Sequence, residues 1–409
     1  MEKAYTPSDA VLKRYADVLV NFALNHGKGI KKGDVVNING PESSKPLFLA
    51  ARTAVLKAGG HVIQHYLPND DDRYNFSATF FEHAKAHQLD FFPQLYFRGL
   101  VDQTDHVLFI LGNTDPHVLK NVHPKKIMRR GLVLKPYLDW RREKEHQGNL
   151  SWTIALYGTP AMAKEANLSN RDYWKEIEKA CFLKDKNPVA TWRRVYRDIH
   201  AYNRKLDALS PHIEKLHVEG KDSDLWITLG KKRKWLSGRG ANVPSFEIFT
   251  SPDWRGTEGW IRFNQPLYRY GNRITGIELT FKKGCVVKAK AKTGEKLLKE
   301  MIRTHGADRV GEFSLTDKRF SRITKFMAET LFDENIGGPD GNTHIALGSS
   351  YADTYAGDVR SLTEKQKTAL GFNDSSVHTD IVSTAKRRVT AHLTRGQTKV
   401  IYENGEFII

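Results

Sequence analysis

The stretch GDVVNINGPESSKPLFLAARTAVLKAGGHVIQHYL (Gly33–Leu67) carries the pattern that decides the fold. Gly33–Gly40 reads as a short buried strand, and Ser43–Gly60 reads as a helix with small polar residues at its start and glycines at its end. His61–Leu67 is a second strand. Two strands joined by a helix must run parallel, so this unit predicts a parallel sheet covered by helices.

The buried-strand pattern recurs further along the first half of the chain. DHVLFILG (Asp105–Gly112) and SWTIALYG (Ser151–Gly158) have the same apolar character and the same glycine end. Neither the GxGxxG nor the GxxxxGK[ST] phosphate-binding motif is present, which disfavours a nucleotide site. We therefore predict a mostly parallel α/β domain over residues 1–240, acting as a scaffold or as a gate to substrate.

The pattern changes near residue 240. WIRFNQPLYRYGNRITGIELTFKKGCVVKAKA (Trp260–Ala291) is rich in β-branched and aromatic residues with turns at hairpin spacing, and Asn404-Gly405 predicts a final hairpin. Helices are expected at Lys292–His305 and Phe320–Leu331. The fold prediction is thus α/β, with a β-rich α+β domain over residues 241–409.

Composition restricts the class of protein. The chain has 409 residues with 40% hydrophobic and 27% charged residues, which is typical of a globular protein, and it has no apolar run long enough for a membrane span. Its two cysteines, Cys181 and Cys285, and an N-terminus without a signal peptide favour the cytoplasm. Of the net charge of +17, +12 falls on residues 1–240, yet no nucleic-acid-binding motif accompanies it. We expect no specific nucleic-acid partner and no membrane association.

The segment SSVHTDIVS (Ser375–Ser383) suggests the chemistry. Val377, Thr379 and Ile381 alternate with His378 and Asp380, which is the period of a β-strand. An imidazole and a carboxylate on one strand face form either a solvated surface or a pair of metal ligands.

Other carboxylates and histidines of the second half also lie beside short apolar runs. With His378 and Asp380, the candidate set is Glu247, Glu312, Glu334 and His344, with Tyr351 following closely. Carboxylates and imidazoles are ligands of Zn²⁺, Co²⁺, Mn²⁺ and Mg²⁺. Four carboxylates would also neutralise two divalent ions. The residues alone therefore favour a metal site and a solvated surface about equally.

Five motifs, in this order, make the sequence similar to a known family: NVPSFEIFTSPDW (Asn242–Trp254), GEFSL (Gly311–Leu315), LFDENIGG (Leu331–Gly338), THIALGSSY (Thr343–Tyr351) and SVHTDIV (Ser376–Val382). They resemble the aminopeptidase T family of metallo-aminopeptidases, peptidase family M29. The resemblance extends through the closing KVIYENGEFI (Lys399–Ile408) and covers essentially the whole chain.

The resemblance implies a function and a site. It implies a homodimer that hydrolyses the N-terminal peptide bond of peptides with a free N-terminus, using water activated by two divalent metal ions per subunit. Glu312 would be shared by both ions and Tyr351 would be the active-site tyrosine, so these two are the expected catalytic residues. The implied ligands are Glu247, Glu312, Glu334, His344, His378 and Asp380.

One alternative uses a subset of the same residues. His344, His378 and Asp380 together would form the two-histidine, one-carboxylate triad of mononuclear non-haem Fe(II) enzymes. Ring-cleaving dioxygenases with an aminopeptidase-like fold are similar to this family. Such a triad leaves Glu247 and Glu312 without a role, so we favour the peptidase.

Overall fold

The computed structural model describes residues 5–71, 73–238 and 240–409. Its first sheet is parallel, with the order β2–β1–β3–β4–β8. Four of its strands come from the first half of the chain: β1 (Val35–Pro41), β2 (His61–Leu67), β3 (His106–Leu111) and β4 (Ser151–Leu156). The fifth, β8 (Asn242–Val243), lies beyond residue 240. The predicted strand–helix–strand unit is confirmed, and its helix covers Lys45–Lys57.

The helices of the described residues lie mostly in the first half of the chain. A π-helical turn, Leu19–Ala23, separates the first two of them. They are α1 (Asp9–Val18), α2 (Leu24–Gly27), α3 (Lys45–Lys57), α4 (Phe76–His83), α5 (Ala86–Leu89), α6 (Gln94–Gln103), α7 (Pro124–Val133), α8 (Lys135–His146), α9 (Pro160–Glu165), α10 (Asn170–Ala180), α11 (Pro188–Leu209), α12 (Glu295–Ile302), α13 (Thr330–Asp333) and α14 (Glu364–Ala369). None of them combines the length and the apolar character that crossing a bilayer requires.

The remaining strands form antiparallel sheets. An eight-stranded sheet has the order β14–β13–β10–β6–β5–β18–β19–β20, and a five-stranded sheet has the order β17–β16–β15–β9–β7. β11 and β12 form a separate hairpin. The strands are β5 (Ile213–Gly220), β6 (Ser223–Thr228), β7 (Leu236–Ser237), β9 (Glu247–Thr250), β10 (Glu258–Arg262), β11 (Leu267–Arg269), β12 (Asn272–Ile274), β13 (Glu278–Lys282), β14 (Cys285–Lys290), β15 (Val310–Thr316), β16 (Asn342–Gly348), β17 (His378–Ser383), β18 (Arg388–Leu393), β19 (Thr398–Glu403) and β20 (Glu406–Phe407).

This architecture agrees with the predicted fold class of a parallel α/β part and a β-rich part. The sheets, however, exchange strands across residue 240. β5 and β6 precede it and belong to the eight-stranded antiparallel sheet, whereas β8 follows it and pairs in parallel with β4. The division into domains at residue 240 stays a prediction.

Two local predictions have different outcomes. The hairpin at Asn404-Gly405 is confirmed by the pairing of β19 with β20. The helix expected over Phe320–Leu331 is wrong, because only Thr330–Asp333 is helical there. The buried Asp333 carboxylate accepts hydrogen bonds from the backbone N–H groups of Met327 and Glu329, at 2.7 and 3.0 Å. These bonds satisfy the backbone in a non-helical path, and Ala328 has a φ of 52° within it.

The five-stranded sheet has one apolar face. Ile248, Phe313, Leu315, Ile345 and Leu347 are fully buried in the core. The alternate residues of these strands therefore point to the opposite face. That face carries the residues considered below.

Gly348 closes strand β16 where no other residue fits. Its φ is +116°, and a Cβ there would lie 1.9 Å from the carbonyl oxygen of Val377. We expect Gly348→Ala to lower the free energy of unfolding by about 3 kcal/mol, because both the backbone and the β16–β17 contact must distort. Urea denaturation followed by circular dichroism measures this change.

The matched control is Gly131→Ala in α7, where a Cβ meets nothing within 4 Å. Alanine is a better helix former than glycine, so this variant should gain up to about 1 kcal/mol. Equal stability of the two variants would contradict the strain described at Gly348.

Candidate metal centre

Four neighbouring strands bring five of the predicted ligands together. Glu247 begins β9, Glu312 lies in β15, His344 lies in β16, and His378 and Asp380 lie in β17. The sixth, Glu334, directly follows the short helix α13. The structure therefore gathers all six residues, although their roles as ligands stay a prediction.

The strand register explains why the five share one face of the sheet. Glu312 pairs with Ala346, and Ala346 pairs with Asp380 on its other side. His344 lies two residues before Ala346, and His378 lies two residues before Asp380. Because paired residues point to the same side and side chains alternate along a strand, all these side chains face one way. The small Ala346 leaves room between the carboxylates of Glu312 and Asp380.

Glu312 lies at the centre of the cluster. Its Oε1 atom is 3.2 Å from Nε2 of His344, and its Oε2 atom is 3.5 Å from Nε2 of His378. His344 Nε2 also lies 3.2 Å from Oε2 of Glu247, and His378 Nε2 lies 3.5 Å from Oδ1 of Asp380. Each oxygen of Glu312 therefore faces a different histidine and a different second carboxylate.

The possible ligand atoms form three overlapping groups of three. In each group the atoms lie within 4.8 Å of one another. The groups are Glu247 with Glu312 and His344, Glu312 with His378 and Asp380, and Glu334 with His344 and Asp380. Every group combines one imidazole with two carboxylates, which suits divalent transition ions.

Surrounding groups hold the side chains in position. Ser314 Oγ donates to Oε2 of Glu247 at 2.9 Å, and Asn242 Nδ2 donates to Oε1 of Glu334 at 3.1 Å. His378 Nδ1 is 2.8 Å from the backbone oxygen of Ser349. A proton on that Nδ1 leaves Nε2 as the ligand atom, and metal-bound histidines usually donate their other ring N–H to a carbonyl or carboxylate oxygen in this way. The residues therefore fit a metal centre.

The electrostatics of the cluster show the cost of burying like charges. Burial raises the pKa of Glu247, and burial together with the charges of Glu247 and Asp380 raises the pKa of Glu334 well above its ordinary value. Burial would lower the pKa of His344, but hydrogen bonds to Glu247 and Glu312 hold it well above the ordinary value. The pKa of His378 is raised in the same way against burial, chiefly by Asp380.

Asp380 shows the opposite shift. Burial alone would raise its pKa, but the charge and hydrogen bond of His378, with smaller effects of His344 and Arg269, lower the pKa of Asp380 to about 2. Arg269 belongs to β11, far from Asp380 along the chain, so no local sequence pattern could indicate this cation. Ser314, by contrast, lies two residues after Glu312 on the same strand face and could have been found from the strand period.

Tyr351 lies against the histidine of β17. The ring centroids of Tyr351 and His378 are 4.8 Å apart, and those of Tyr351 and Phe249 are 5.7 Å apart. Burial, followed by the charges of Glu312 and Asp380, raises the pKa of Tyr351 well above its ordinary value. Its hydroxyl therefore stays protonated and can act as a hydrogen-bond donor.

A cavity of about 600 Å³ opens onto the cluster. Its walls come from both halves of the chain: Glu312, His378 and Tyr351 contribute from the antiparallel part, and Glu145 and Trp152 contribute from the parallel part. The sequence did not indicate any cavity residue from the parallel half.

Comparison with known proteins decides the family. The sequence model of the thermophilic metalloprotease (M29) family matches residues 8–407. The chain belongs to this family. The predicted resemblance and the predicted enzyme class, a metallopeptidase, are thereby confirmed, and so is the requirement for divalent metal.

Two relatives of this chain match over nearly their whole length. Aminopeptidase PepS of Streptococcus thermophilus is 27% identical, with 97% of this chain and 98% of that protein covered. Aminopeptidase T of Thermus thermophilus is 26% identical, with 90% and 92% covered.

Solved structures confirm the M29 fold. Wild-type AmpT from Thermus thermophilus has a TM-score of 0.80 at 23% identity, covering 98% of this chain and 99% of that one. The 2,5-dihydroxypyridine dioxygenase of Pseudomonas putida KT2440 has a TM-score of 0.53 at 13% identity, covering 98% of each chain. At these identities, both likenesses concern the fold alone.

The raised pKa values predict how metal binding depends on pH. Protonated His344 and His378 compete with a metal ion, so a rising pH should strengthen binding and each bound ion should release protons. We expect the affinity for Co²⁺, measured by calorimetry after chelator treatment, to rise at least about tenfold from pH 6 to pH 8. Repeating the titration in buffers of different ionisation enthalpy counts the protons released. An affinity independent of pH would contradict the charge arrangement described here.

Proposed function

We propose that this protein is an aminopeptidase that removes the N-terminal residue of peptides with two divalent metal ions held by the six clustered residues. The observation that supports it most is the position of Glu312, whose two oxygens face two different histidine–carboxylate pairs. A carboxylate in that position can bridge two cations. Zn²⁺, Co²⁺, Mn²⁺ and Mg²⁺ all suit such ligands, and the cytoplasm remains the predicted compartment.

The side chains divide the work of hydrolysis. Two divalent ions held by these residues would supply Lewis acidity, which would lower the pKa of water and polarise a scissile carbonyl group. Ser314 and Asn242 keep the carboxylates of Glu247 and Glu334 oriented by their hydrogen bonds. The protonated hydroxyl of Tyr351 donates to the oxygen on which negative charge develops.

Proton transfer requires a carboxylate beside the scissile bond. Glu312 or Glu334 accepts the proton of the attacking water and delivers it to the leaving amine.

The dioxygenase alternative requires a different convergence of ligands. A facial triad would bring His344, His378 and Asp380 to one point with open positions for oxygen. Among the described residues, each converging group instead holds one histidine and two carboxylates. This composition favours the hydrolase.

Replacing Glu312 distinguishes the two chemistries. Glu312→Gln should reduce the metal content from about two ions per chain toward one, and should lower kcat/KM on aminoacyl-p-nitroanilides by about 10³-fold or more, since an amide cannot bridge two cations. Metal quantification on the purified variant is combined with hydrolysis and oxygen-uptake assays.

The matched control is Glu176→Gln, which alters a buried carboxylate that accepts hydrogen bonds from Thr324, remote from the cluster in sequence. It should keep both the metal content and the activity. A single bound iron, oxygen uptake and an unaffected Glu312→Gln variant would overturn the peptidase proposal.

We also propose that two copies associate through an apolar surface of the parallel half. This surface, the apolar patch, consists of exposed large side chains: Tyr66, Tyr74, Phe76, Phe80, Phe91, Leu95 and Tyr96. Leu95 is 89% exposed. Exposed apolar surface concentrated in this way is typical of an interface.

Contacts fix the position of several side chains of the patch. The hydroxyl of Tyr96 is 2.7 Å from Nε2 of His65 on edge strand β2. Arg130 lies over the ring of Phe80 and donates to the backbone oxygen of Phe91 at 2.6 Å. A second copy of the chain is the occupant we propose for this patch.

A charge placed in the apolar patch tests the association. Leu95→Asp should produce a monomer of 46.6 kDa in analytical ultracentrifugation, whereas the unmodified chain should sediment with twice that mass. Val287→Asp is the control, because Val287 is 60% exposed on β14, outside the patch. A monomeric unmodified chain, or two variants with equal mass, would refute this interface.

A further inference from the structure

Glu145 is a carboxylate of the cavity that hydrolysis, as described above, does not use. It lies in the last turn of α8 and lines the cavity together with the clustered ligands. Trp152 Nε1 donates to its Oε1 atom at 2.9 Å, so the carboxylate is fixed against β4. Its position belongs to the parallel half, whereas the six ligands belong to the antiparallel half and its connections.

The charges around Glu145 leave it without a cation of its own. Burial, followed by the charge of Asp353, raises the pKa of Glu145 to about 7, against smaller opposing effects of Trp152, His146 and Arg141. The neighbouring basic side chains face other carboxylates: Nε2 of His146 lies 3.0 Å from Oδ1 of Asp353, and a guanidinium nitrogen of Arg142 lies 3.6 Å from Oδ1 of Asp139. In the described part of the chain, Glu145 has no ion pair within 4 Å.

Among the described residues, Arg141 forms no ion pair with Glu145, and its Nε atom has no hydrogen-bond partner. Its guanidinium lies 5.1 Å from the ring centroid of Phe109 and 5.6 Å from that of Tyr137. A carboxylate removed from water without a paired cation is costly, and a cation from outside the protein offsets that cost. This side of the cavity, at Glu145, is therefore suited to binding a cation.

Part of the lining suits an aliphatic chain. Apolar side chains from both halves line the same cavity: Leu111, Trp152, Ile154, Leu236, Phe249 and Leu331. A long side chain ending in an ammonium or guanidinium group combines these two requirements, because its methylene groups pack on apolar surface while its charge meets a carboxylate. Lysine and arginine are the residues with such side chains.

We propose that Glu145 is a specificity-determining residue that binds the charged end of a lysine or arginine at the substrate's N-terminal position. This inference rests on the proposed aminopeptidase function. Because Glu145 binds the side chain rather than the reacting bond, its removal affects substrates with a basic first residue and spares those with an apolar one.

The test compares substrates that share the same leaving group. For Glu145→Gln, kcat/KM on lysyl- and arginyl-p-nitroanilide should fall about 10- to 100-fold, and kcat/KM on leucyl-p-nitroanilide should change less than about threefold. The retained leucyl activity shows that the variant is folded. Glu143→Gln is the control: it changes an exposed carboxylate two residues earlier on the same helix and should leave all three values unaltered.

A second measurement does not depend on turnover. Calorimetric titration of the metal-loaded protein with free L-lysine and L-leucine should show weaker lysine binding to Glu145→Gln and equal leucine binding. Equal loss on all three p-nitroanilides would assign Glu145 to the α-ammonium group or to structure, and would overturn the inference, as would unchanged values. If the unmodified protein hydrolyses none of the three, the aminopeptidase proposal fails, and the lysine titration alone decides the role of Glu145.

Discussion

Repulsion among four carboxylates in one buried cluster is the constraint on which the rest of this structure depends. Like charges repel, yet the backbone holds four carboxylates together and within reach of two histidines: Glu247, Glu312, Glu334 and Asp380. A sheet can impose this because its ladder hydrogen bonds fix each side chain at a set distance from its neighbours. The apolar face of the same sheet, with Phe313 and Ile345 fully buried, provides the hydrophobic burial that holds the ladder in place.

The two parts of the molecule contribute different kinds of chemistry to one cavity. The antiparallel part provides charge at positions fixed by strand register, and Ser314 and Asn242 refine those positions through hydrogen bonds. The parallel part provides a wall of apolar and aromatic surface around Glu145. Metal chemistry can therefore be set by one part of the chain while the shape of the substrate site is set by the other.

The sequence made the local features predictable. Strand and helix periods gave the strand–helix–strand unit, and the alternation in Ser375–Ser383 placed His378 and Asp380 on one face. Long-range features were not predictable in this way, because no local pattern indicates that β5 pairs with β18 or that Arg269 lies near Asp380. The failed helix before α13 has the same origin, since a buried aspartate satisfied the backbone through tertiary contacts.

Strand β8 restricts how the two parts of the molecule can move against each other. Asn242 extends the parallel sheet beside Ile154 through its backbone, and the same residue holds the Glu334 carboxylate through its side chain. Glu247 begins β9 four residues after Val243, the last residue of β8. This connection is therefore unlike a hinge. Rotating one part against the other at this point would break sheet hydrogen bonds and would displace the carboxylates of both Glu334 and Glu247. The two walls of the cavity are therefore joined directly beside the clustered carboxylates.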